Sequence, residues 1–184
     1  PLLQRAAIAS AVAAFVADSL HPSSAIAGLA SFAAALFTAA QWLCWKPWAT
    51  RHRPMAWILQ GSYGFIPVGL LLLGASAFGL LPRSAAIHAF SVGAMGGMIV
   101  GMAMRTSLGH TGREVRGGRA ESAAFALVLA AAGLRLTASL APSVQLPAML
   151  AAGAAWSCAF LVFLVAYAPL LAGSARRGSR AGNP

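Results

Sequence analysis

The stretch IHAFSVGAMGGMIVGMAMRTSLGHTGR, residues 87–113, decides the fold. It is apolar over most of its length and meets its first formal charge only at Arg105. A helix needs about 20 apolar residues to cross a bilayer. The stretch therefore reads as one membrane span, over roughly 84–107.

The same pattern repeats on both sides. A first helix is expected over 2–19, ended by His21-Pro22. A second runs from Ser24 to about Trp45, where Pro47 stops it. A third begins at Pro54, a favoured first-turn residue, and runs to about Leu81 before Pro82. A fifth lies between about Glu121 and Pro142, and a sixth from about Pro147 to about Gly173. The expected fold is all-α: a polytopic membrane protein, a bundle of about six transmembrane helices over residues 1–173, with a basic cytoplasmic tail over 174–184. Composition agrees. Only 9% of residues are charged, against about a quarter in a soluble domain. Such a surface belongs in a lipid bilayer.

The net charge of +10 would by itself suggest a nucleic-acid partner. The placement of the cations argues against one, because they sit in short clusters between apolar runs. Arg5, then Lys46, Arg51 and Arg53, then Arg113, Arg116 and Arg119, then Arg176, Arg177 and Arg180 all fall on one side of a six-helix zigzag. The other side has only Arg83. The positive-inside rule then places both ends of the chain in the cytoplasm. Trp42, Trp45, Trp48 and Trp57 cluster at that same end and read as an interfacial belt. Cys44 and Cys158 have no zinc or disulfide spacing and read as small apolar fillers. The first apolar run, Ala6 to Ala17, is short, and the chain opens on Pro1. The start reads as a cut through a helix or its flank in a longer protein.

Helix 4 divides into two faces at 100° per residue. Gly93, Gly97 and Gly101 form a ridge for close helix packing. His88, Met95, Met98, Met102 and Arg105 fall roughly opposite. Methionines at helical spacing serve as filler, yet imidazole and thioether also ligate haem iron and copper. His88 is either such a ligand or a hydrogen-bonded structural histidine. Beyond it, Gly109 and Gly112 are expected to break the helix and set His110 and Thr111 at the membrane edge between Arg105 and Arg113. Two arginines there suit haem propionates or another anion, or act simply as a cap and anchors.

Other polar residues lie within the spans. Gln60, Tyr63, Gly64 and Pro67 share a face of helix 3, the expected side for an interhelical contact. Arg135 sits inside helix 5, where it is either a functional group or snorkels to the surface, with Asp18 as a candidate partner. Glu121 suits the positive end of its helix. His21 and His52 are expected in exposed loops. No nucleotide-binding glycine loop, Ser/His/Asp set or paired membrane carboxylates occur. With three acidic residues in all, proton-pump and cation-channel readings are weak.

The stretch His88–Met98, and above all Gly101-Met102 through Arg105 into Ser107-Leu108-Gly109-His110-Thr111-Gly112-Arg113, resembles the NnrS family of bacterial membrane proteins tied to nitric oxide metabolism. LGHTG after a Gly/Met-rich span is its most specific element. PMAWILQGSYGFIPVG (54–69), Leu134-Arg135 and Tyr167-Ala168-Pro169-Leu170 add to it. The resemblance implies an inner-membrane protein of the nitric oxide response or denitrification, carrying haem b and, as a second candidate, copper. His88 and His110 match family histidines and become the leading metal ligands, with Met95 and Met102 beside them. Arg105 and Arg135 match family arginines and, with Arg113, become candidate cofactor-binding residues. Members often have histidine where this chain has Gln60, which puts the ligand set in doubt. Family members have about twice as many helices, so the resemblance also implies a missing N-terminal half as a partner of this one. The rival class is a metal-free transporter of a small molecule or anion, or an assembly factor, with Gln60, Tyr63, His88 and Arg135 lining a path. A third reading makes these residues interhelical glue. No reaction is legible, so nitric oxide is a candidate ligand and not a known substrate.

Overall fold

The computed structural model describes residues 1–111 and 117–181, with side chains described up to residue 172. Six of its helices are long and apolar enough to cross a membrane. They are α1 (Leu2–Leu20), α2 (Ala25–Cys44), α3 (Pro54–Ala77), α4 (Arg83–His110), α5 (Arg119–Leu140) and α6 (Gln145–Ala181). Short 3₁₀ turns at Pro47–Thr50 and Pro142–Val144 punctuate the connections.

The helix starts follow local chemistry. Ser24 caps α2, its side chain accepting from the Ala27 amide at 3.1 Å. Pro54 occupies the first position of α3, where a missing N–H costs nothing. The Glu121 carboxylate accepts from the Gly118 amide at 2.6 Å, closing the start of α5.

Three boundaries differ from expectation. The third helix stops at Ala77, not near Leu81. Gly79 takes φ +70°, and the Leu80 amide donates back to the Ala75 carbonyl at 3.1 Å. This glycine-terminated closure ends the helix before Pro82 is reached. The fourth helix passes through Gly109 to His110, because a lone glycine weakens a helix without forbidding it. Gly112 and Arg113 lie outside the described residues. The last helix runs on to Ala181, so the backbone of the expected tail is helical over 174–181. In addition, α1 continues through Asp18, which is buried in its last turn.

α1 packs on α2, α2 on α3, α3 on α4, and α5 on α6, with α5 also against the middle of α4. The largest apolar cluster joins Met55 and Ile58 of α3, Val100, Met104 and Leu108 of α4, Phe125 and Val128 of α5, and Tyr167 of α6. Leu and Val side chains such as Leu36, Leu161 and Val165 point outward, as lipid-facing residues do. Cys44 and Cys158 are free and exposed on that outer surface, not fillers of the core.

The glycine ridge faces α3. A methyl group at Gly93 would meet the Phe65 ring, one at Gly97 would meet Ser62, and one at Gly101 would meet Ile58. The interlock is reciprocal, since the Phe90 ring of α4 fills the notch at Gly69 of α3.

Glu121 also ties α5 to α6, because the buried Tyr167 hydroxyl donates to it at 2.7 Å. Glu121→Ala removes a cap and strands a buried hydroxyl, an expected cost of about 2–4 kcal/mol. Tyr167→Phe should cost about half as much, since the carboxylate keeps its amide donor. Thermal unfolding in detergent measures both, and equal, negligible losses would remove Glu121 as a tie.

Candidate functional site

Sequence spacing assumed a uniform helix from 84 onward. Residues Ala89–Gly96 are instead π-helical, beginning directly after His88. The wider turn changes the angle per residue, so the expected histidine–methionine face is not continuous. Segments of this kind recur at functional sites because they redirect side chains. Two aromatic rings wedge the turn from different sides: Phe65 of α3 at Gly93 and Trp156 of α6 at Gly96.

His88 is half-buried, and among the described residues its side chain has no hydrogen-bond partner. Arg135 of α5 lies within electrostatic reach of it. Arg135, though not His88, also lines a cavity of about 380 Å³ between α4, α5 and α6. Val92, Ala131, Arg135, Met149, Trp156 and Ser157 are among its lining residues. The wall is mostly apolar with few polar groups, the usual character of a small-molecule site.

Arg135 does not pair with Asp18. The Asp18 carboxylate is held by both guanidinium nitrogens of Arg83, at 2.6 and 2.5 Å. The end of α1 that carries Asp18 and the start of α4 that carries Arg83 lie at the same end of the bundle, so this acid and this cation find each other. Glu121 is engaged with Gly118 and Tyr167, and Glu114 lies outside the described residues. Among the described residues, Arg135 therefore makes no ion pair.

The other expected site residues are not brought to this place. His110 is exposed at the far end of α4, twenty-two residues from His88, or roughly 33 Å along a helix. The two histidines cannot ligate one metal within a single chain. Met95 and Met102 are 60% and 50% exposed on the outside of the bundle, while Met98 is half-buried. Arg105 borders a separate cavity with His52 and Arg53. Arg113 lies outside the described residues. Among the described residues, no three His, Cys, Asp or Glu side chains converge as a metal site.

The polar stripe of α3 faces α2. Trp42 donates its indole N–H to the backbone carbonyl of Gln60 at 2.8 Å, and its ring fills the notch at Gly64. Tyr63 packs on Trp45, ring centroids 4.8 Å apart. Trp57 meets Phe125 edge-on at 5.8 Å. Trp42 and Trp57 are thus interhelical packing residues, while Trp45 and Trp48 are exposed as a belt requires. Gln60 and Tyr63 are not among the described residues that line the cavity of Arg135. Met149, Trp156 and Ser157 were not anticipated. Their only signal was position on α6, the span least marked by polar residues.

A family model described as NnrS protein matches residues 1–174. No curated protein and no solved structure gives a significant match. The match takes in all six spans, including the π-helical turn of α4 and the cavity beside it, and the chain belongs to the NnrS family.

Proposed function

We propose that the chain is a haem-binding inner-membrane protein of the nitric oxide response, with His88 as an axial ligand and Arg135 as a propionate partner. Membership of the family ties it to that response in general. One observation supports the finer reading: among the described residues, a histidine without a hydrogen-bond partner lies within electrostatic reach of an arginine without an acid partner, and that arginine lines an apolar cavity within the membrane-spanning helices.

The residues present fit such a group in part. Haem asks for one or two axial ligands and cations or donors for its propionates. His88 and Arg135 supply one of each. When bound, haem brings an iron able to take a diatomic ligand such as nitric oxide. Arg135 would neutralise a carboxylate in a medium where an unpaired charge is costly. The apolar wall of Val92, Ala131 and Trp156 would keep water from the site. Copper fits less well, because Met95 and Met102 are largely exposed and, among the described residues, no three His, Cys, Asp or Glu side chains converge.

The cation asymmetry of the loops favours the N-terminus of α1 and the C-terminus of α6 on the cytoplasmic side. His88 and Arg135 then lie toward the periplasmic face, and His110 toward the cytoplasmic one.

Haem content of the purified, membrane-extracted protein tests the reading. About one haem per chain is expected for wild type. Arg135→Leu should lower retention of haem during purification. Haem-free protein from haem-replete cells would overturn the assignment.

A further inference from the structure

The second cavity lies at the end of the bundle that carries the loop cations. It measures about 600 Å³ and is bordered by His52, Arg53, Met55, Arg105 and Gly117 among others. It is separate from the site of His88. Arg105 lies seventeen residues further along α4, roughly 25 Å away, and His110 is not among the lining residues.

Its chemistry is one-sided. Arg53 stands immediately before α3 and Arg105 in the last turns of α4, so two elements deliver guanidinium groups to one cavity. Among the described residues neither makes an ion pair, and none of the described lining residues is a carboxylate. Arg51 donates its Nε–H to His52 Nε2 at 2.9 Å, which holds the imidazole at the rim and brings a third cation close. No side chain caps α3. The amide of Met55, its first N–H after Pro54, has no acceptor among the described residues.

We propose that this cavity binds a phosphate group. Guanidinium forks match the paired oxygens of phosphate, and Arg favours such bidentate contacts over point-charge ones. A free helix-start amide adds a donor of the same polarity. Two sources present this chemistry at the end of a membrane bundle: an anionic lipid headgroup and inorganic phosphate in solution. This site does not depend on haem binding, and its test reads no chromophore.

The experiment uses the full chain in an uncharged detergent and in nanodiscs. Inorganic phosphate is titrated against thermal stability in detergent. In parallel, nanodiscs of phosphatidylcholine with and without phosphatidylglycerol are compared, and retained lipid is counted by native mass spectrometry. The expected result is binding that Arg53→Gln with Arg105→Gln weakens about tenfold, while Arg5→Gln, a cation at the same end, changes it by less than about twofold. Saturation by inorganic phosphate identifies the soluble source. Retention of phosphatidylglycerol without a phosphate response identifies the lipid. Should the double variant not fold, Arg105→Lys keeps the charge but loses the fork and should still weaken binding several-fold. Absence of binding of both probes to wild type overturns the proposal. So does unchanged binding by the arginine variants, or an equal loss with Arg5→Gln, which would reveal only a diffuse surface charge.

Discussion

Replacing Gly93 with alanine should separate α3 from α4 and lower stability by about 1–3 kcal/mol, the range for inserting a methyl group into a packed core. The reason lies in which atoms stand opposite. The added carbon would meet the Phe65 ring at Cδ1 and Cγ, with Phe65 Cβ at 2.8 Å. Cβ is fixed to the α3 backbone, and turning the ring about χ1 does not move it, so the helices must shift. They cannot part freely, because Phe90 is locked into Gly69 from the other direction. At Gly101 the nearest neighbour is Ile58 Cγ2 at 3.0 Å, and alanine there should be tolerated far better. Gly133 has nothing within 4 Å, so Gly133→Ala should change stability little or raise it by up to about 1 kcal/mol. Thermal unfolding of the three variants in one detergent gives the order. Equal effects at Gly93 and Gly133 would mean that the ridge does not bear on α3.

The second large effect is expected at Asp18 and Arg83, and it is asymmetric. Asp18 is 4% exposed, whereas the Arg83 side chain is 45% exposed. Arg83→Ala leaves a buried carboxylate without the one partner it has among the described residues, at an expected cost of about 2–3 kcal/mol after discounting for the exposed arginine. Asp18→Asn leaves a cation that reaches the aqueous boundary on its long stem, at a cost within about 1 kcal/mol. The same unfolding assay, run on both variants, reads the difference. A larger loss for Asp18→Asn than for Arg83→Ala would contradict the burial on which the argument rests.

Much of this architecture is legible in the residues. Apolar runs bounded by Pro22, Pro47, Pro82 and Pro142 mark the six spans, because a bilayer imposes one length and one composition on every span. The ridge of Gly93, Gly97 and Gly101 is legible for a similar reason: spacing on one helix reveals a smooth face. What fills that face is not legible. Phe65 and Phe90 belong to different helices, and no periodicity couples them. The π-helical turn is not legible, because the rings packed against it, Phe65 at Gly93 and Trp156 at Gly96, come from other helices. Its consequence is specific: Met95 leaves the side of the helix on which uniform spacing had put it with His88. Pairing of Asp18 with Arg83 was open to deduction, since each is the only charge of its sign at that end outside the α5 span.

For the site, the residue types were informative and the grouping was not. His88 and His110 share one helix, so sequence proximity hides a separation of roughly a bilayer thickness. Arg135 comes within reach of His88 through the packing of α5 on the first half of α4, both the turn that carries His88 and the π-helical turn after it. Arg105 departs to the phosphate cavity at the other end.

The central claim is that His88, and not His110, holds a haem beside Arg135. The most direct measurement is the reduced-minus-oxidised absorbance spectrum of the purified protein, recorded for wild type, His88→Ala and His110→Ala, with and without nitric oxide. The account predicts a haem Soret band in wild type that responds to nitric oxide, is lost or strongly shifted in His88→Ala, and is unchanged in His110→Ala. A wild-type spectrum without that band, or one that survives His88→Ala and disappears with His110→Ala, would contradict it.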